Sequence, residues 1–104
     1  MMYVTREMGE AIDVGAEPMT ITVIGLGRGF VDLLMEVRGE ADTIERLKVG
    51  VSYQLPVRMG GGAPLAVLKC RLISIQRGQA RFGLDAPSDV TIKPRAKEAN
   101  NGRS

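Results

Sequence analysis

Apolar and polar side chains alternate with a period of two along most of this chain. Leu68, Cys70 and Leu72 alternate with Lys69 and Arg71, so one face of the segment is apolar and the other basic. That is the pattern of a half-buried antiparallel strand. Arg77-Gly78 breaks the run at a turn, and residues 79–84 alternate again with Ala80, Phe82 and Leu84 opposite Arg81. Ala86-Pro87-Ser88 ends that segment, and residues 90–93 start a third short strand, which completes a meander. The N-terminal half reads the same way. Strands are predicted at 2–7, with Thr5 or Arg6 outward according to register; at 11–14, with Ile12 and Val14 inward; at 19–24, with Met19, Ile21 and Val23 opposite Thr20 and Thr22; and at 30–37. Gly9-Glu10 is a turn and residues 15–18 form a loop.

Two glycine-rich stretches are read as turns. G-x-G-x-G at 25–29 is flanked by strands on both sides, whereas a dinucleotide fingerprint needs a helix after it, so a hairpin turn is the better account. Residues 59–64 form a flexible loop with no Gly-Lys-Ser/Thr to make a phosphate cradle. Residues 40–46 fit either a short helix or a strand, and 48–55 favour a strand. The tail at 99–104 has no apolar stripe and is expected to be disordered.

The halves also resemble one another. Residues 19–24 lie 49 positions before residues 68–73, and the same offset pairs Arg28-Gly29 with Arg77-Gly78 and Leu33 with Phe82. Upstream, Met8-Gly9, Ile12 and Val14 parallel Val49-Gly50, Tyr53 and Leu55 at an offset of 41, with the longer loop at 56–65 absorbing the difference. Two readings stand: a duplication, with units of about 1–46 and 47–98, or the general similarity of β meanders, with 39–65 an insertion in a single unit.

A length of 104 residues fits one small domain, here 1–98, with a core of Val, Ile, Leu and Met because Trp is absent and aromatics are few. No apolar run approaches a membrane span, and one cysteine cannot form an internal disulfide; both point to the cytoplasm. Residues 1–47 carry four basic and nine acidic side chains, a net of −5, whereas residues 66–104 carry eight and three, a net of +5. The basic end suits phosphate, and equally suits attraction between the two halves.

The run I-S-I-Q-R-G-Q-A-R-F-G-L-D-A-P-S-D-V-T-I at 73–92 resembles the carbon-storage-regulator family of small bacterial RNA-binding proteins, matching its strand, Gly turn, Q-x-R-x-G strand, A-P turn and last strand without a gap. Met2-Tyr3-Val4-Thr5-Arg6-Glu7-Met8-Gly9-Glu10 independently resembles the family's opening, T-R-x-x-G-E after hydrophobic residues. The resemblance implies an all-β fold, a small antiparallel barrel or sandwich whose first and last strands pair across units, either in a strand-exchanged homodimer or in an intrachain pseudo-dimer. A tandem chain would keep one composite site and lose the other, since 40–50 cannot supply both a last and a first strand.

The resemblance also implies binding of GGA-containing single-stranded loops in an mRNA 5′ leader or small RNA, with control of translation or message stability. Carried over, the site comprises Val4, Thr5 and Arg6 of the first strand, Ala86 and Pro87 of the turn, and Val90, Ile92, Lys93 and Arg95 near the end. Two residues depart from the pattern: Glu7 stands at a usually basic position, and Pro94 at that of the key arginine, with Arg95 one place later. The other function class is a protein-interaction module or antagonist whose RNA site has decayed. An enzyme has no support: the chain has no histidine, Cys70 faces the core, and the acidic residues lack metal-ligand spacing. No cofactor or metal is expected.

Overall fold

The alternating segments become strands in a computed structural model that describes residues 1–16, 19–57 and 66–95. The glycine-rich loop at 59–64, Glu17 and Pro18 of the 15–18 loop, and the 99–104 tail lie outside the described residues. The strands are β1 (Met2–Glu7), β2 (Ala11–Val14), β3 (Met19–Gly27), β4 (Phe30–Glu36), β5 (Thr43–Lys48), β6 (Ser52–Val57), β7 (Ala66–Gln76), β8 (Gln79–Asp85) and β9 (Ile92–Arg95). They form two antiparallel sheets, one in the order β1-β8-β7-β6 and the other β5-β4-β3-β2-β9. The apolar faces close on one core, with Phe82, Leu68, Leu72 and Leu84 contributed by the first sheet and Val14, Val23, Val31 and Leu47 by the second. This is a small all-β sandwich. No helix of the described residues is long and apolar enough to cross a membrane.

The open alternatives at 40–55 resolve as two strands. β5 follows a short turn and is buried only at Leu47. On its exposed side Arg46 donates to both carboxylate oxygens of Asp32, at 2.8 and 3.0 Å, and stacks on the Phe30 ring 3.9 Å from its centroid. That hydrogen bond holds the Asp32 carboxyl below its usual range.

The G-x-G-x-G stretch is mostly strand rather than turn. Gly25 and Gly27 belong to β3, and only Arg28-Gly29 turns the chain, with Gly29 at φ 74°. Gly25 follows a register shift in the β3–β4 ladder, and a Cβ at Gly27 would run into the Phe30 ring. Gly27→Ala is therefore expected to destabilise the fold by about 1–3 kcal/mol, read as a lowered denaturation midpoint. The Arg77-Gly78 turn differs: both residues have positive φ, 53° and 76°, as a type I′ hairpin requires.

The two sheets share one register. Moving all seven β3–β4 partner pairs forward by 49 positions gives the seven β7–β8 pairs, including the shift at Val23/Gly25, which reappears at Leu72/Ser74. The four β2–β3 pairs map onto β6–β7 pairs at offsets of 41 and 49. The six β1–β8 pairs map in the same way onto the β5–β4 pairs. β5, at Thr43–Lys48, runs across the 46/47 division that a duplication would place there.

The pairing expected between first and last strands takes a different form. β1 ladders with β8, and β9 ladders with β2. The reason is the turn after β8: Val90 N donates to Pro87 O at 2.9 Å, and Val90, buried in the core, anchors a chain that swings to the other sheet. The last strand accordingly starts at Ile92, not at 90.

Cys70 lies in the core as its alternation predicts, and burial pushes its thiol up from 9.0 to about 12. The folded state holds this proton more tightly than the unfolded chain. The stability it contributes is present below pH 9 and is lost as pH rises toward about 12. Native protein at pH 8 should resist iodoacetamide, and unfolded protein should be labelled fully. Rapid native labelling would contradict this placement.

Candidate nucleic-acid interface

β1 and β9 are edge strands of different sheets that approach one another at two points. At one end Met2 and Ile92 line a common concavity of about 320 Å³. At the other, the Arg6 guanidinium crosses the seam and donates to Arg95 O at 3.0 Å, while its Nε donates to Thr5 O at 2.7 Å. No ladder joins the two strands among the described residues. They make a ledge rather than a sheet.

Strand parity decides which predicted residues reach it. β1 register buries Val4 against Phe82, so Val4 packs in the core and is not available to a nucleotide. Arg6 lies on the same side as Val4 but at the rim, where its side chain retains 18% exposure. Thr5 points the other way, onto the outer face of the four-stranded sheet opposite Arg81. The Thr5-Arg6 pair thus serves two faces.

Ala86, Pro87, Val90 and Ile92 line the concavity with Met1 and Met2. Val90 is otherwise buried and contributes little more than its edge. Pro94 faces Ile12. Gly15 N donates to Thr91 O, which fixes Ala11, Asp13 and Gly15 as the β2 residues whose backbone groups face β9. Pro94 therefore occupies a non-hydrogen-bonded site on an edge strand, where its missing N–H costs no bond to β2.

Arg95 falls on the outer face of the five-stranded sheet, diagonal to Asp13. Its Nε lies 3.2 Å from Asp13 Oδ2, and its Nη2 donates to Asp13 Oδ1 at 3.2 Å and to Thr20 Oγ1 at 3.3 Å. The Thr20 hydroxyl in turn donates to Asp13 Oδ1 at 2.8 Å. Lys93 is exposed beside this cluster, opposite Asp13. Acidic groups thus attend both arginines, since Arg6 Nε lies 3.9 Å from Glu10 Oε1. Glu7 accepts from Gln79 Nε2 at 3.2 Å and so stands on the outer face beside Thr5's neighbours.

One group of residues was not in the predicted site. Tyr3 is 55% exposed, and Arg81 stacks over its ring at 5.0 Å from the centroid. Arg71 and Lys69 continue the basic outer face along β7. The alternation at 68–72 and 79–84 already turned these cations outward, but only the β1–β8 register sets Tyr3 beside them.

No family model matches the chain, and no curated protein or solved structure matches it either. The resemblance to the carbon-storage regulators rests on the two motifs and on nothing further.

Proposed function

We propose that this protein is an RNA-binding post-transcriptional regulator acting in the cytoplasm. In this reading the chain is two fused units of the carbon-storage-regulator kind, an intrachain pseudo-dimer with one composite site. It binds a GGA-containing loop of an mRNA leader or small RNA and alters translation or message stability. The observation that carries the reading is the β1–β9 ledge, where Met2 and Ile92 offer an aliphatic surface and Arg6 crosses the seam at the other end, with Lys93 and Arg95 on the adjoining outer face of the five-stranded sheet. Unpaired bases of a single-stranded loop pack on such aliphatic side chains while phosphates meet the cations. The basic face carrying Tyr3, Arg81, Arg71 and Lys69 adjoins it and extends the attraction for the flanking stem.

The test is a titration of a GGA hairpin against a hairpin with that triplet scrambled, at fixed salt. Tighter binding of the GGA hairpin supports the reading, and equal binding rejects it. A solution mass of one chain supports the pseudo-dimer, and twice that mass supports a homodimer.

The second reading, an interaction module or antagonist with a decayed RNA site, is favoured by one observation. Asp13 holds Arg95, and Glu10 stands near Arg6, so an incoming phosphate must compete with carboxylates. No shift of either hairpin at micromolar protein would favour it.

A further inference from the structure

The outer face of the four-stranded sheet carries more than charge. Its middle row runs from Tyr3 on β1 through Gly83 on β8 to Arg71 on β7 and Ser52 on β6. Gly83 has no side chain to fill the row, and three neighbours close over it. A Cβ there would lie 3.1 Å from Met1 Sδ, 3.4 Å from Ile73 Cδ1 and 3.6 Å from Tyr3 Cε1. Gly83 is buried under them, yet the covering side chains are open to solvent, Met1 at 73%, Tyr3 at 55% and Ile73 at 37% exposure. They form an apolar saddle with one aromatic ring.

Cations border the saddle. Arg81 stands over the Tyr3 ring, and Arg71 lies across the ladder from Gly83. Lys69 follows two residues from Arg71 on the same face of β7, about 7 Å along the strand. The carboxylates of β1 and β8 on this face stand at opposite ends of it, Glu7 beside Gln79 and Asp85 facing Lys69. Among the described residues, neither Arg71 nor Arg81 is within ion-pair distance of a carboxylate, whereas Arg6, Arg46 and Arg95 all are. The two arginines beside the saddle are uncommitted.

We infer that this face binds unpaired RNA without regard to sequence, with a base on the Tyr3 ring and saddle and phosphates on Arg71 and Arg81. An aromatic ring accepts any base, because every base has a π-face, and cations beside it follow the backbone. The Arg81 guanidinium plane is itself a stacking surface. A duplex suits the face less, since its paired bases are already stacked. An anionic membrane suits it less too: the apolar part is three side chains on a flat sheet, and Thr5, Ser52 and Gln54 share the face. These polar side chains are instead donors and acceptors for a nucleotide. The inference needs neither the GGA triplet nor Arg6 and Arg95, and it stands apart from that reading.

The experiment is a fluorescence anisotropy titration of the full chain with a labelled, unstructured RNA that lacks GGA, about 12 nucleotides long, within the span of single-strand modules. Saturable binding is expected, and it should weaken as salt is raised. Tyr3→Leu keeps a cover over Gly83 but removes the ring, and should weaken binding about tenfold. Tyr3→Phe should retain it. Arg71→Ala, at an exposed position, should weaken binding and flatten its salt dependence. Loss of the preference for a GGA hairpin over a scrambled one, with binding of this RNA intact, rejects the GGA reading alone. Four results overturn the inference: no saturation at millimolar protein; unchanged affinity in Tyr3→Leu; a duplex of the same length bound as tightly, which reduces the face to phosphate attraction; or displacement of the RNA by phosphatidylserine vesicles but not by unlabelled single strand, which makes a membrane the partner.

Discussion

Phe82→Ala should lower the stability of this domain by about 3–5 kcal/mol, the range for losing a buried aromatic ring. Phe82 is the largest of the fully buried side chains, and the other described aromatics are half-buried or exposed. It lies on β8 between Val4 of β1 and Leu72 of β7, so ladders on both sides hold the backbone in place. The surrounding side chains cannot collapse into the space, and the cavity term adds to the lost transfer energy. Small domains have only about 5–15 kcal/mol in total, so the loss is a large share of it. Chemical denaturation should show a lower midpoint with an unchanged slope. Leu33→Ala, at the corresponding position of the β3–β4 ladder 49 residues earlier, should also destabilise, by about 2–5 kcal/mol. Ile44→Ala, on a side chain 63% exposed, is the control and should change little. A Phe82→Ala variant no less stable than Ile44→Ala would overturn the placement of the core.

Period-two alternation carried most of the fold, because each strand is buried on one face only. It placed Leu68, Cys70, Leu72 and Phe82 inward and the intervening cations outward, and the structure agrees. It was weakest at 40–46. Strand β5 has its ladder to β4 and one buried side chain, Leu47, with the Arg46–Asp32 ion pair on its exposed side, so it shows no alternating apolar face and leaves no periodic mark. The glycines at 25 and 27 suggested a turn, yet both lie within β3 close under a side chain across the ladder, Asp32 and Phe30. In the site, motif matching collected residues that the pleat then divides: Val4 goes to the core, Thr5 to an outer face and Arg6 to the seam. Their common neighbourhood with Ile92 and Arg95 depends on the turn at 86–90 crossing between sheets, which no local pattern encodes.

Arg6→Ala should weaken binding of a GGA hairpin by about 10- to 100-fold, the worth of a charged hydrogen-bonding group. Arg6 acts in two ways at once. It brings a cation to the ledge, and through its bond to Arg95 O it holds the edges of two separate sheets together. Arg6→Lys separates these effects. Lysine keeps the charge, and with it the salt dependence of binding, but lacks the planar fork that serves Thr5 O and Arg95 O together. An affinity near that of Arg6→Ala would make the latch the larger part, and one near the unaltered protein's would make it the charge. Asp13→Asn should act in the opposite direction. It removes the carboxylate that holds Arg95 while preserving an acceptor for Thr20, so the guanidinium is released to phosphate and affinity rises. Anisotropy titrations at one salt concentration read all three. Opposite signs for Arg6→Ala and Asp13→Asn are the pattern that a ledge binding phosphate demands. A protein-docking surface that uses the Arg95–Asp13 pair intact would bind no RNA in any of the variants, and loss of hairpin binding on Asp13→Asn would place the carboxylate within the RNA site instead of against it.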